Sequence, residues 1–381
     1  MQYRKLGKTG IEISAIGFGT MRMPTINGVF ADIDIEKAKK VIRYAIDNGV
    51  NYIDTAYPYH INGNSEKALG EILKDGYRKK VYLGDKLSIW VCDTYEDCEK
   101  MFESQLERTG TDYFDLYFLH SLDYNFWAKA KKLNVFKLFD KLKAEGKIKH
   151  IGFSFHDRYE LFEEIVNAYD WEFCIMQLNY MDTDYQAGLK GLELAAAKEM
   201  GVLIMEPLKG GQLAKEPPKS VEEIWSRSKK QMTPAGRGMS FLLNRPEVSC
   251  VLSGMNEIEQ VDDNIKTAES CKIGDLDKTE LQMYKDVREE FSRLIKVACT
   301  RCQYCMPCPM GVDIPTNIEY YNMGHMYGTI DHARNFYNRP FFDKKRSTNC
   351  INCGICLDKC PQHLNIPEIM EKIGDEWACK N

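Results

Sequence analysis

The chain of 381 residues lacks several things at once. No stretch approaches about twenty consecutive apolar residues, so no membrane-spanning helix is expected. There is no block of like charge, and the formal net charge is only −5. A nucleic-acid or anionic-membrane partner is therefore not expected. The opening "MQYRKLGKTGIEIS" has neither an apolar core nor a cleavage signal, which points to the cytoplasm. No G-x-G-x-x-G turn is present. Cysteine is sparse through the first 290 residues. Cys92, Cys98, Cys174, Cys250 and Cys271 share no metal-ligand spacing and read as ordinary reduced thiols, since that compartment disfavours disulfides.

What is present has order. The apolar fraction is 44%, that of a folded globular protein. Apolar, β-rich runs alternate with amphipathic helical runs over residues 11–270. Eight strands are expected at "ISAIGFGT" (13–20), "NYIDTA" (51–56), "VYLGDKLS" (81–88), "FDLYFLHS" (114–121), "IKHIGFSF" (148–155), "FCIMQLNY" (173–180), "VLIMEPL" (202–208) and "VSCVLSGM" (248–255). Between the first two, Ala38, Val41, Ile42, Ala45 and Ile46 share one helical face, with Gly49 placed to close it. The fold class expected is α/β, a (β/α)8 TIM barrel. The rival is an open doubly wound sheet, which would carry a G-x-G-x-x-G turn after its first strand; "GFGTMRMPT" is not one. The domains expected are a barrel over 1–274, a connecting helix over 275–298, and a cysteine-rich domain over 299–381.

Chemistry in such a barrel sits where strands end at the C-terminal face. Asp54 ends the second strand and Tyr59 follows it; Lys86 ends the third and His120 the fourth. A tyrosine titrating near 10 is a poor acid at neutral pH, and an adjacent ammonium would lower it. Asp54 would pair with Lys86, and His120 could orient a carbonyl oxygen. The set suits hydride addition to a carbonyl with Tyr59 as general acid.

On these residues the chain resembles the aldo-keto reductase family over roughly residues 1–270. The resemblance rests on "GFGTMRMP", "NYIDTAYPYH", "GDKLS", "YFLHS", "GFSFH", "MQLNY", "PLKGG" and "SGMNEIEQVDDNI", taken in order. It implies a catalytic set of Asp54, Tyr59, Lys86 and His120, and NADPH or NADH bound without a Rossmann fold. It also implies cofactor contacts from Gly19, Thr20 and Met21, and carboxamide contacts from Ser154 and Gln177. The loop Leu208, Gly210, Gly211 and Gln212 would cover the pyrophosphate. Ser253, Gly254, Gln260 and Asn264 would bind the adenosine end. Two positions depart from the family. Phe155 follows Ser154 where Asn is common, and Gln260 sits in an acidic stretch where an Arg often meets a 2′-phosphate. Trp90, Tyr124, Phe126 and Trp127 lie just after strand ends and are candidates for an apolar substrate pocket.

The C-terminal part is different in kind. Nine of the 14 cysteines fall within residues 299–381. One run is Cys299-x2-Cys302-x2-Cys305-x2-Cys308-Pro309; the second is Cys350-x2-Cys353-x2-Cys356-x3-Cys360-Pro361. The second matches the bacterial [4Fe–4S] ferredoxin spacing, in which the fourth cysteine serves the other cluster. Both runs continue alike, "CPMGVDIP" and "CPQHLNIP", as an internal repeat does. Carried over, one cluster takes Cys299, Cys302, Cys305 and Cys360, and the other takes Cys350, Cys353, Cys356 and Cys308, leaving Cys379 spare. Zinc is the rival ligand, although three consecutive x2 spacings gather more thiolates than one zinc uses. The long, aromatic-rich connection between the runs predicts a mainly α-helical, ferredoxin-like module. The whole chain resembles the bacterial and archaeal aldo-keto reductases that carry such a domain.

Three functions follow. The barrel reduces a small-molecule carbonyl, or runs the reverse, while the clusters serve structure or docking of a redox protein partner. Alternatively, the clusters feed single electrons to a site at the barrel mouth. In a third reading the protein senses redox or nicotinamide state with little turnover. A hydride carries two electrons and a cluster one, so direct wiring would call for a flavin, which no motif supports.

Overall fold

The computed structural model describes residues 1–299 and 303–378. The chain divides into two compact units: Met1–Gly210 with Ala235–Asp277, and Gly211–Pro234 with the residues from Lys278 onward.

The first unit is a closed parallel barrel of eight strands, each paired to its neighbours in chain order. The strands are Ile16–Gly19, Tyr52–Asp54, Tyr82–Leu87, Phe114–Leu122, Ile148–Phe155, Phe173–Gln177, Gly201–Met205 and Cys250–Ser253, the last pairing back onto the first. All eight expected strands form, and the barrel is the fold. The interior is filled by Tyr52, Leu116, Phe118, Phe173, Ile175, Leu203, Cys250 and Leu252, from alternate positions of their strands. Leu6 and Ile13, from a short N-terminal hairpin, join the same core. The helices obey their sequence signals. Ile35–Asp47 starts where Asp34 accepts a hydrogen bond from the Lys37 amide, and it buries the five predicted residues. Tyr95–Thr109 carries a capping box of Thr94 with Asp97 and stops at Gly110, whose φ of 61° suits glycine.

Glu172 ties together the N-terminal ends of the strands. Its carboxylate accepts from His150 Nδ1 at 2.8 Å, Lys143 Nζ at 2.6 Å and the Ile151 amide at 3.0 Å. Burial alone would raise its pKa, but these hydrogen bonds more than offset that and hold it at about 2, against an ordinary 4.5. A depressed folded pKa gives stability that is present above about 4.5 and lost as pH falls toward 2. Glu172→Gln should therefore cost roughly 2 kcal/mol at neutral pH and almost nothing near pH 2. Urea unfolding at both pH values checks this; an equal cost at each would refute the assignment.

The second unit is mainly helical. Its helix Lys278–Arg293 lies within the expected connecting segment and packs Tyr284 against Trp225 with ring centroids 4.9 Å apart. Helices Ile314–Met326 and Ile366–Trp377 follow the two cysteine runs and repeat one design: Asp313 or Asn365 at the N-cap and a proline in the first turn. They meet through Tyr321 and Trp377, 5.3 Å apart, and the Tyr321 hydroxyl donates to Glu376 at 3.0 Å. Between them, Ile330–Tyr337 is helical and Phe336 stacks on Tyr320 at 3.8 Å. Among the described residues, no helix is long and apolar enough to cross a membrane.

Candidate active site and cysteine cavities

Three adjacent strands place the barrel's polar residues. Asp54 is the last residue of its strand and pairs in register with Gly19 on one side and Gly84 on the other. Lys86, two residues after Gly84, reaches back to it: Nζ lies 2.6 Å from Asp54 Oδ2 and donates to the Thr55 carbonyl at 2.6 Å. Both side chains are buried. The ammonium sits 4.7 Å from the Tyr59 ring centre. His120 faces the same tyrosine edge-on, with centroids 6.0 Å apart. All four sequence-predicted residues thus converge.

Electrostatics follow from burial. The Lys86 pKa is pulled down by burial, but Asp54 and then Tyr59 more than offset this, leaving it raised and the ammonium charged. Burial raises Asp54, against the pull of Lys86 and of the Tyr52 hydrogen bond. Tyr59 departs from the expectation of a lowered pKa. Lys86 does pull it down, but burial outweighs that and leaves the phenol raised above its ordinary 10. His120 is held well below its ordinary value by burial, then by the Lys86 charge and by His156. It is therefore neutral, with Nδ1 3.2 Å from Ser88 Oγ.

A register shift between Leu119 and Leu122 bulges the His120 strand at its rim, and Ser121 takes a φ of 52°. Bulges at barrel rims re-aim side chains. The Ser121 amide donates to Ser154 Oγ at 2.7 Å, so the predicted carboxamide ligand also steadies the bulge beside His120.

Several contributors escaped the sequence reading. Tyr52 is fully buried and its hydroxyl donates to Asp54 Oδ1 at 3.1 Å. It shares a strand face with Asp54 two residues on, a period-2 signal that was available. It also dictates Gly84, where an added Cβ would lie 2.5 Å from the Tyr52 hydroxyl oxygen. Tyr52→Phe keeps the ring and removes the donor, so Asp54 should rise further and hold Lys86 less well. We expect kcat to fall about 3- to 10-fold with KM little changed; an unchanged kcat would remove Tyr52 from the site. Behind Lys86 lies a buried network. Gln105 donates to Glu66 and to the Lys86 carbonyl, both at 3.0 Å, and accepts from Tyr117 at 2.6 Å; Glu66 pairs with Arg108.

The predicted cofactor residues are less uniform. Gly19 ends its strand next to Asp54, and Met21 is exposed. Thr20 turns its hydroxyl to the Asp54 carbonyl at 3.0 Å. Gln177 Nε2 donates to Asp182 at 3.2 Å, which leaves its carbonyl oxygen as an acceptor. Leu208 packs on Gly238, and the Gly210 amide donates to Glu206. Gly211 and Gln212 belong to the second compact unit. Ser253 Oγ accepts from Asn264 at 2.9 Å, Gly254 lies against the Arg22 side chain, and Gln260 accepts from the Asn256 amide at 2.8 Å. Of the aromatic candidates, Trp90 lies 4.9 Å from His120 and 5.4 Å from Phe126. Trp127 is a core residue bonded to Glu164, and Tyr124 is exposed.

In the second unit the described cysteines line two cavities. One is bordered by Cys305, Cys308, Cys350, Cys353 and Cys356. The other is bordered by Cys299, Cys305 and Cys360. Cys302 and Cys379 lie outside the described residues. Among the described residues, no three His, Cys, Asp or Glu side chains converge as ligands of a single ion.

A family model described as the aldo/keto reductase family matches residues 15–289. The chain belongs to this family. It is an oxidoreductase by that membership, and a second match, to a 4Fe-4S dicluster domain over residues 298–364, makes the C-terminal part an iron–sulfur domain. The chain is 26% identical over 318 residues to L-galactose dehydrogenase of Arabidopsis thaliana, covering 77% of this chain and 96% of that one. It is 27% identical over 315 residues to the uncharacterized oxidoreductase YqkF of Bacillus subtilis, covering 74% and 96%. The aldo-keto reductase AKR11C1 from Bacillus halodurans in its holo form superimposes with a TM-score of 0.63 at 23% identity, over 75% of this chain and 96% of that one. That last likeness speaks for the fold.

Proposed function

We propose that the barrel is a nicotinamide-dependent carbonyl reductase acting through Asp54, Tyr59, Lys86 and His120. The supporting observation is the buried Lys86–Asp54 pair at 2.6 Å with Tyr59 over the ammonium. A bound dihydronicotinamide supplies the hydride. The chain's own groups do the rest. Neutral His120 donates a hydrogen bond to the carbonyl oxygen, and the Tyr59 hydroxyl gives that oxygen its proton. Lys86 stabilises the charge left on the phenolate, and Asp54 holds Lys86. Ser154 and the Gln177 carbonyl oxygen are suited to a carboxamide. Trp90, beside His120, and Phe126, beside Trp90, favour a substrate with an apolar body.

Two [4Fe–4S] clusters would occupy the two cysteine cavities. Cys308, Cys350, Cys353 and Cys356 border the first. Cys299 and Cys360 border the second; Cys305, which borders both, would join them, with Cys302 as fourth ligand.

The test is NADH or NADPH oxidation with a panel of aldehydes and ketones, run anaerobically. Tight nicotinamide binding with no turnover on any carbonyl would replace the reductase by a sensor. The same assay reads cofactor choice. Gln260 is engaged with the Asn256 amide, Glu257 at the N-cap of the last barrel helix is paired with Lys37, and Glu259 in its first turn would repel a 2′-phosphate. We expect kcat/KM with NADH to equal or exceed that with NADPH; the reverse order would reject this reading.

A further inference from the structure

The cysteine-lined cavity containing Cys353 opens at the surface, and its rim is apolar. Cys353 itself is exposed, and so are its neighbours Ile351 at 62%, Ile355 at 50% and Met310 at 44%. All four border the cavity. Large apolar side chains exposed together around one opening mark an interaction site. Basic residues stand next to them. The Lys345 carbonyl accepts from the Asp313 amide at 3.1 Å and from Asn317 Nδ2 at 2.8 Å. The Lys344 carbonyl lies 3.4 Å from where a Cβ on Gly311 would sit. The segment 344–345 is therefore seated on the chain that immediately follows Met310. Both lysines are exposed. Of the acids against this segment, Asp343 is paired with Arg346 at 2.5 Å and Asp313 caps its helix by accepting from the Thr316 amide at 3.3 Å.

We infer that Met310, Ile351 and Ile355, flanked by Lys344 and Lys345, form a docking surface for an acidic, one-electron carrier protein. This rests on the proposed cluster behind Cys353. An apolar centre with a cationic flank fits a small, short-lived encounter in which charge steers and apolar contact seats the partner. Each encounter moves one electron: the reduced carrier loses it and the iron–sulfur centre gains it. Exposure of a ligand cysteine at the middle of the patch keeps that path short.

The experiment uses the full chain, loaded and handled anaerobically, with a plant-type [2Fe–2S] ferredoxin as the acidic probe and a basic cytochrome c as control. Binding is measured by calorimetry at low and high salt. The ferredoxin should bind at least tenfold more tightly than the cytochrome, and its affinity should fall at least tenfold with added salt. The double charge reversal Lys344→Glu with Lys345→Glu should weaken ferredoxin binding tenfold or more while leaving iron and sulfide content unchanged. Equal affinity for both probes, or a double variant that binds as the parent does, would overturn the surface. Iron and sulfide assayed on the same sample keep the two readings apart. A chain without iron fails the cluster assignment, while a loaded chain indifferent to ferredoxin fails only the docking surface.

Discussion

Tyr59→Phe is expected to lower kcat for carbonyl reduction by about 10²- to 10⁴-fold, with iron content unchanged. The ring stays over Lys86, where its centre lies 4.7 Å from the ammonium, so packing and the Lys86–Asp54 pair persist. What is lost is the proton. The carbonyl oxygen must gain one as the hydride arrives, and no other group near the pair offers it as readily. His120 is neutral, and Lys86 is kept charged by Asp54. The raised Tyr59 pKa sets the pH dependence. The phenol is protonated below its pKa, which lies above 10, so the reductive rate should stay level from about pH 6 to 9. The reverse oxidation needs the phenolate and should accelerate as pH rises. A reductive rate that fell through a group titrating below about pH 9 would contradict the raised phenol, and turnover surviving in the phenylalanine variant would remove Tyr59 as the acid.

The site could be read from sequence where one residue per strand end was enough. Asp54 closes its strand, Lys86 and His120 stand one and two residues before the ends of theirs, and parallel strands in a barrel bring such positions to one rim. Tyr52 was not seen because it reads as strand filling; its function depends on Asp54 being two residues along and on Gly84 making room across the ladder. The bulge at Ser121 has no glycine or proline to announce it, so the second task of Ser154 stayed hidden. The sign of the Tyr59 shift was missed for another reason. The neighbouring ammonium follows from sequence, whereas the depth of burial that outweighs it comes only from the closed barrel. In the cysteine region, spacing singled out Cys299, Cys305, Cys308, Cys350, Cys353, Cys356 and Cys360, all of which line the cavities, while Cys302 lies outside the described residues. That Cys305 borders both cavities needed the fold.

Removing iron should have the second large effect, on the stability of the C-terminal unit. Among the described residues, the cluster of 12 buried side chains behind the cavities includes Cys356, Trp377, Met370 and Tyr321, and Cys299, Cys305, Cys308, Cys350 and Cys360 pack against it. The proposed ligands are thus part of the core's wall. A core this small supplies little net stability by itself and needs a staple. Metal binding provides one, because the free energy of ligation is available only to the folded arrangement. Without iron, the two cavities interrupt the packing between helices Ile314–Met326 and Ile366–Trp377. Loss of several kcal/mol from a unit of this size corresponds to a drop of roughly 20 °C or more in its thermal midpoint. Limited proteolysis across a temperature ramp, scored by cuts within residues 303–378, would follow this unit specifically. Chelator-treated protein should be cut far earlier than loaded protein. Cys356→Ala, which removes a buried proposed ligand, should be cut earlier than Cys353→Ala, which removes an exposed one. Equal resistance with and without iron would mean that the helices hold each other unaided, and the clusters would then have to be explained by electron transfer alone.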